Sequence, residues 1–91
     1  MRLKNKVSII TGAASGIGKE SVLKFLDEGS KVVAADLNAG ALTNLKNEIH
    51  HSDEVFETFE CDVSSEEAIK GLVGFAIKKF NKLDVIFNNA G

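Results

Sequence analysis

The sequence is 91 residues long, 44% apolar and 26% charged, with a formal net charge of -2, one Cys and no Trp, Pro or Tyr. That length allows one domain at most, residues 1–91. The apolar content excludes a disordered tail, and 11 basic against 13 acidic residues with no basic cluster exclude electrostatically driven nucleic-acid binding. A lone Cys makes neither an internal disulfide nor a Cys-rich zinc site, and no uncharged run reaches the roughly 18 apolar residues that span a bilayer, so a cytoplasmic chain without a membrane partner is expected.

In chain order, Val7 to Thr11 is a short β-branched run and predicts a strand. The turn Thr11-Gly12-Ala13-Ala14-Ser15-Gly16-Ile17-Gly18 follows, opening a helix whose apolar face is Ile17, Val22, Phe25 and Leu26 and which Gly29 stops at a left-handed cap. Lys31 to Asp36 predicts a second strand. Asn38 is placed to cap a second helix striped by Leu42, Leu45 and Ile49. Val55 to Cys61 mixes in polar residues and predicts an edge strand. Ser64 and Glu67 have the spacing of a capping box ahead of a third helix, whose buried face is Ile69, Leu72, Val73, Ala76, Ile77 and Phe80. Gly71 and Gly74 each cost that helix roughly 1 kcal/mol relative to Ala, which close packing against a neighbour would offset. Asp84 to Asn88 is the last strand.

The order βαβαβαβ, with nearly continuous apolar runs in three of the strands, predicts a parallel sheet buried on both faces. The fold class is α/β: the N-terminal portion of a doubly wound, Rossmann-type sheet with strand order 3-2-1-4. In the complete order, 3-2-1-4-5-6, the fourth strand is central. Here Val85-Ile86-Phe87 is left with an open apolar edge, so aggregation, or completion of the sheet by another chain in a homo-oligomer, is expected. Ligands in such sheets gather at the carboxyl ends of the strands.

Those ends carry the chemistry. A pyrophosphate is held by backbone N–H groups and the positive end of a helix dipole, and side chains in the turn would block its approach. Gly12 permits the turn, Gly16 admits the phosphates and Gly18 lets the helix pack on the strand. Asp36, eighteen residues beyond Gly18, is placed to accept both hydroxyls of an adenosine ribose and to repel a 2'-phosphate. With Ala14, Ser15 and Leu37 uncharged, NAD is expected in preference to NADP. Asp62 and Val63 end the third strand where an adenine could be hydrogen-bonded and lined. Asn88-Asn89-Ala90-Gly91 ends the fourth with small and amide side chains that leave room for a ribose.

The Thr-Gly-x-x-x-Gly-x-Gly turn, the acidic end of the second strand, Asp62-Val63 and Asn88-Asn89-Ala90-Gly91, in this order, resemble the N-terminal half of the short-chain dehydrogenases/reductases, in the style of the 3-oxoacyl-carrier-protein reductases. The resemblance implies that Gly12, Ser15, Gly16, Ile17 and Gly18 hold the pyrophosphate side of the cofactor. Asp36 and Leu37 would then meet the adenosine ribose, Asp62 and Val63 the adenine, and Asn89, Ala90 and Gly91 the stretch toward the nicotinamide. Thr11 and Asn88 become scaffold between the first and fourth strands. The resemblance also implies hydride transfer between a nicotinamide and a small-molecule carbonyl or secondary alcohol, with a Ser, a Tyr and a Lys as catalytic residues beyond this motif; no catalytic residue is assigned in this chain, which has no Tyr. The alternative is an adenine-dinucleotide-binding fragment without turnover. A methyltransferase is disfavoured by the glycine spacing and the Asn-Asn-Ala-Gly end.

Other polar features have structural readings. His50 and His51 are adjacent on a helix end and diverge by about 100 degrees, so no metal site is expected. Cys61 reads as a small buried residue, Lys78, Lys79 and Lys82 as a solvated face complementing a helix dipole, and Glu66-Glu67 as their counterpart at the other end.

Overall fold

A computed structural model describes residues 3–89. Strand β1 (Val7–Thr11), helix α1 (Gly16–Asp27), β2 (Lys31–Asp36), α2 (Ala39–Glu48), β3 (Phe56–Glu60), α3 (Glu66–Phe80) and β4 (Val85–Asn88) follow one another. The strands form one parallel sheet in the order β3-β2-β1-β4. Ser8 lies opposite Val32 and Val85, and Thr11 opposite Ala35 and Asn88, so the carboxyl ends of β1, β2 and β4 are level. Asp36 and Glu60 bring the ends of β2 and β3 to the same side.

Alternate side chains divide the core. Ile10, Val32, Ala34 and Phe56 face α1 and α2, meeting Val22, Leu26, Leu42, Leu45 and Ile49. Val7, Ile9, Val33 and Ala35 face α3, meeting Leu72, Ala76 and Phe80. Because both faces of β2 are covered, Val32 through Ala35 are all fully buried, and each fully buried Val or Ile contributes about 1.5–3 kcal/mol. The fully buried hydroxyl of Ser8 in β1 is matched by Ser30 at 2.8 Å.

The helix ends follow local chemistry with one displacement. Gly29 adopts φ +93 and its N–H donates to the Leu26 carbonyl, closing α1. Asn38 Oδ1 accepts the Ala41 N–H to open α2. The capping box expected at Ser64 does not form: both the N–H and the hydroxyl of Ser64 donate to Asp62 Oδ1, and Ser65 caps α3 by accepting the Ala68 N–H at 3.2 Å. Two members of the expected apolar faces are on the surface, Ile17 at 69% and Ile77 at 45% exposure. Ile17 stands at the first turn of α1, past the end of the sheet, and Ile77 lies outside the contact of α3 with β1 and β2. Gly71 and Gly74 do not pack closely either: a Cβ on Gly71 would make an ordinary contact with Phe59, and one on Gly74 would meet nothing within 4 Å.

The two sheet edges differ in chemistry. On the β3 side, Lys46 Nζ donates to the Phe56 carbonyl at 3.2 Å and pairs with Glu57 at 2.8 Å and Asp53 at 3.0 Å, while Lys79 joins Glu57 at 3.3 Å. Lys79 therefore belongs to an ion-pair network rather than to a purely solvated face, and Lys82 pairs with Asp84 at 3.2 Å. On the β4 side, Ile86 and Phe87 are 54% and 38% exposed, and Phe87 leans on Phe25 at 5.9 Å between ring centroids. Strand β4 begins one residue later than expected because the Asp84 carboxylate turns back to accept the Val7 N–H at 2.9 Å. That bond holds the Asp84 carboxyl below its ordinary range. Strand β3 is likewise shorter by one residue at each end than the Val55–Cys61 run.

Candidate cofactor-binding site

The level strand ends form a shelf, and the β1–α1 turn rises from it. Gly12 has φ +61, a conformation that a side chain would strain. Gly18 is where backbones approach closest: a Cβ there would stand 2.0 Å from the Gly12 carbonyl oxygen and 2.8 Å from Ala13 Cα. The close packing at Gly18 is thus against the Gly12–Ala13 turn rather than the strand it was expected to meet, because the first turn of α1 folds back over the turn that precedes it. Ala13 lies buried beneath, its N–H donating to the Ala35 carbonyl at 3.1 Å.

Ser15 organises the turn. Its hydroxyl donates to the Gly12 carbonyl at 2.8 Å and accepts the Gly18 N–H at 3.1 Å and the Asn89 Nδ2 at 3.1 Å. One donor and two acceptor positions are all a hydroxyl has, so the Ser15 side chain is fully engaged within the protein. Its carbonyl accepts the Lys19 N–H. The Gly16 and Ile17 N–H groups, which begin α1, have no partner among the described residues, as the geometry of a helix start dictates. No acidic side chain sits in this first turn, whereas α3 carries Glu66 and Glu67 in its own. The positive end of α1 is left uncompensated, which favours an anion there.

From β4, Asn88 Oδ1 accepts the Thr11 hydroxyl at 2.8 Å, and Thr11 Oγ1 accepts the Asn89 N–H at 3.1 Å, tying the first and fourth strands as a scaffold. Asn89 also reaches the turn through its amide, and this link to Ser15 was not legible in the motif. Ala90 and Gly91, expected beside Asn89, lie outside the described residues.

Between the turn and the ends of β2 and β3 lies a cleft of about 290 Å³ lined by Gly12, Asp36, Leu37, Cys61, Asp62 and Val63. Four of the expected contact residues of the adenosine end, Asp36, Leu37, Asp62 and Val63, are brought together there. Ser15, Gly16, Ile17 and Asn89 stand outside its lining, along the turn and the neighbouring strand end. Leu37 is 66% exposed at the rim. Asp36 accepts the Ala14 N–H on Oδ2 and the Asn38 N–H on Oδ1, each at 3.0 Å. Asp62 is held below the ordinary carboxyl range by the hydroxyl and then the N–H of Ser64. Cys61, read from sequence only as buried filler, also lines the cleft. Burial, and secondarily the Asp62 charge, push its thiol up, which makes it an inert wall. A larger groove of about 620 Å³, lined by Glu20, Leu23, Lys24, Leu26 and Asp27 of α1 and by His51, includes no strand end.

Comparisons with known proteins agree with this geometry. A family model described as short chain dehydrogenase matches residues 6–91. The 7alpha-hydroxysteroid dehydrogenase of Escherichia coli K12 is 42% identical over all 91 residues, which cover 36% of that protein. The 3-oxoacyl-(acyl-carrier-protein) reductase FabG of Thermotoga maritima is 40% identical over 91 residues, covering 37% of its length. Among solved structures, a hydroxysteroid dehydrogenase from Escherichia coli superposes with a TM-score of 0.89 at 42% identity, over 99% of this chain and 38% of that one. The apo-form glucose dehydrogenase of Caenorhabditis elegans gives 0.92 at 32% identity, over 100% and 40%. The chain thus spans little more than a third of the curated relatives it matches. A family model that takes in nearly every described residue leaves one assignment: this chain belongs to the short chain dehydrogenase family.

Proposed function

We propose that these 91 residues form the adenosine- and pyrophosphate-binding portion of an NAD-dependent oxidoreductase acting on a carbonyl or secondary alcohol. The observation that carries this reading is a single carboxylate, Asp36, at the end of β2 beside a side-chain-free turn and an uncompensated helix N-terminus. The cleft suits the adenosine end: Asp36 faces the ribose hydroxyls, Asp62 and Val63 the base, and Leu37 the outer rim. The N–H groups of Gly16 and Ile17 meet the pyrophosphate, with Gly12 and Gly18 keeping the turn low enough to admit it. The hydroxyl of Ser15, being fully engaged, serves by holding that turn, and Asn89 serves both the turn and, with Ala90 and Gly91, the path toward the nicotinamide.

A nicotinamide dinucleotide, when bound, supplies or accepts hydride at its nicotinamide ring. What this chain does is grip the other end, so that binding energy far from the reacting carbon fixes the ring's position. Proton transfer by a tyrosine has to come from outside these residues, since they contain none. The protein is expected to work in a reducing, cytoplasmic setting and in a homo-oligomer. The second reading, nucleotide binding without turnover, rests on the same missing tyrosine.

Calorimetric titration with NAD and NADP tests the reading. NAD is expected to bind at least about tenfold tighter, since Asp36 would face a 2'-phosphate with a charge of the same sign. Tighter binding of NADP overturns the preference, and no binding of either overturns the site.

A further inference from the structure

Asp36 has two carboxylate oxygens, and the protein itself uses both. Oδ2 accepts the N–H of Ala14, in the middle of the glycine-rich turn, and Oδ1 accepts the N–H of Asn38, the residue that caps α2. Each bond is 3.0 Å. Among the described residues Ala14 has no other side-chain partner to hold it: its neighbour Ala13 is fixed from below by the Ala35 carbonyl, and Ser15 is fixed from the other flank by Asn89. The carboxylate is therefore the peg between the top of the turn and the start of α2.

We propose that Asp36 is a positioning residue for the pyrophosphate turn, acting through the Ala14 N–H, in addition to any contact with a ribose. A carboxylate oxygen accepts at two sites, so one backbone bond on each leaves room for one ribose hydroxyl on each. The two tasks are compatible for a carboxylate but not for its amide. An Asn of the same shape has one oxygen and one NH2, so it must aim donors at either Ala14 or Asn38 and lose that bond. Substitution at this position then does more than change which ribose is accepted: it releases the turn that meets the phosphates.

The binding arm of the test rests on the nucleotide-binding reading above, and the exchange arm does not. Wild type, Asp36→Asn and Asp36→Ala are compared in the full 91-residue chain, with far-UV circular dichroism reporting that each is folded. ADP and 2',3'-dideoxy-ADP are the probes, the second lacking both hydroxyls that Asp36 could contact. If Asp36 acted only on the ribose, both variants would bind dideoxy-ADP as wild type does, or more tightly because a negative charge near the diphosphate is gone. As a positioning residue, its loss weakens dideoxy-ADP as well, by roughly three- to tenfold, the range of one lost hydrogen bond. In the ligand-free chain, hydrogen exchange at the Ala14 amide is expected to speed up by a similar factor in Asp36→Ala, and in Asp36→Asn at whichever of the Ala14 and Asn38 amides loses its acceptor, while Val22, buried in the middle of α1, stays as in wild type. Equal or tighter dideoxy-ADP binding by Asp36→Ala overturns the proposal, and so does an unchanged Ala14 amide in that variant. If neither probe binds wild type, the proposed function fails, and Ala14 exchange alone decides whether Asp36 holds the turn.

Discussion

Replacing Gly18 with Ala asks the most of this architecture, because the added methyl group meets backbone rather than a side chain that can swing aside. Its Cβ would stand 2.0 Å from the Gly12 carbonyl oxygen and 2.8 Å from Ala13 Cα and the Gly12 carbonyl carbon. Relief needs a movement of about 1 Å in a turn fixed by the Ala13–Ala35, Ser15–Gly12 and Asn89–Ser15 bonds. Alanine brings back about 1 kcal/mol of helix propensity, while overpacking costs about 1–3 kcal/mol and reaches the upper end where backbone must yield. The net is a loss of about 2 kcal/mol, or roughly 10 °C in melting temperature for a domain of this size. The comparison is Gly16→Ala, two residues earlier, where the new Cβ meets nothing within 4 Å. That variant is expected to keep or slightly raise its melting temperature and yet to bind ADP about tenfold more weakly, since the methyl group enters the space over the helix N-terminus. Thermal unfolding by circular dichroism and calorimetric titration separate the two effects. A Gly18→Ala protein that melts like wild type refutes the close-approach argument, and a Gly16→Ala protein with undiminished ADP affinity refutes the placement of the phosphates.

Other outcomes follow from single contacts. Thr11→Val keeps the shape of a buried side chain but removes its bonds to Asn88 Oδ1 and the Asn89 N–H, and should lower stability by about 1–3 kcal/mol in urea unfolding; a neutral result would contradict the scaffold role. Glu57 is partly desolvated, which opposes ionisation, but hydrogen bonds from Lys46 and Lys79 hold its carboxyl below the ordinary 4.5. The stability it contributes is fully present above that value and is lost as pH falls through the lowered folded value. Glu57→Gln should thus be less stable than wild type by about 1 kcal/mol at neutral pH, with the gap closing below about pH 4; a gap independent of pH would refute the assignment. Asn81 closes α3 with φ +70, so Asn81→Ala should cost about 1 kcal/mol and Asn81→Gly should not, as read by melting temperature.

How much of this was legible depended on whether side chains or backbone carried the information. Between Lys31 and Asp36 the run Val32 to Ala35 is wholly apolar, and both the buried central strand and the acidic strand end follow from that pattern alone. Leu42, Leu45 and Ile49 likewise mark the buried side of α2. Ser64 and Ser65 are a harder case, since either can precede a helix containing Glu66 and Glu67. The choice fell to Asp62, which takes both donors of Ser64 and leaves the cap to Ser65. Ile17 fits a helical stripe by spacing, but spacing does not report where the underlying sheet ends. Gly71 and Gly74 suggested a close neighbour, but among the described residues a Cβ on Gly71 would meet only Phe59 at an ordinary 3.9 Å and one on Gly74 nothing within 4 Å. At the site, the glycines and Asp36 were readable, whereas the Ala14 contact was not, because a backbone N–H belongs to every residue type but Pro and leaves no mark in the sequence.

The unlike margins of the sheet give the molecule a direction. Lys46 covers an outward carbonyl of β3 and, with Glu57 and Lys79, surrounds that margin with fixed charge, so a strand arriving there must displace ion pairs before it can pair. At β4 an arriving strand meets exposed Ile86 and Phe87, with no ion pair to displace among the described contacts of those residues. Any strand that extended the sheet would meet less resistance beside Val85–Asn88, on the flank nearest Asn89 and the turn it holds, than beside β3.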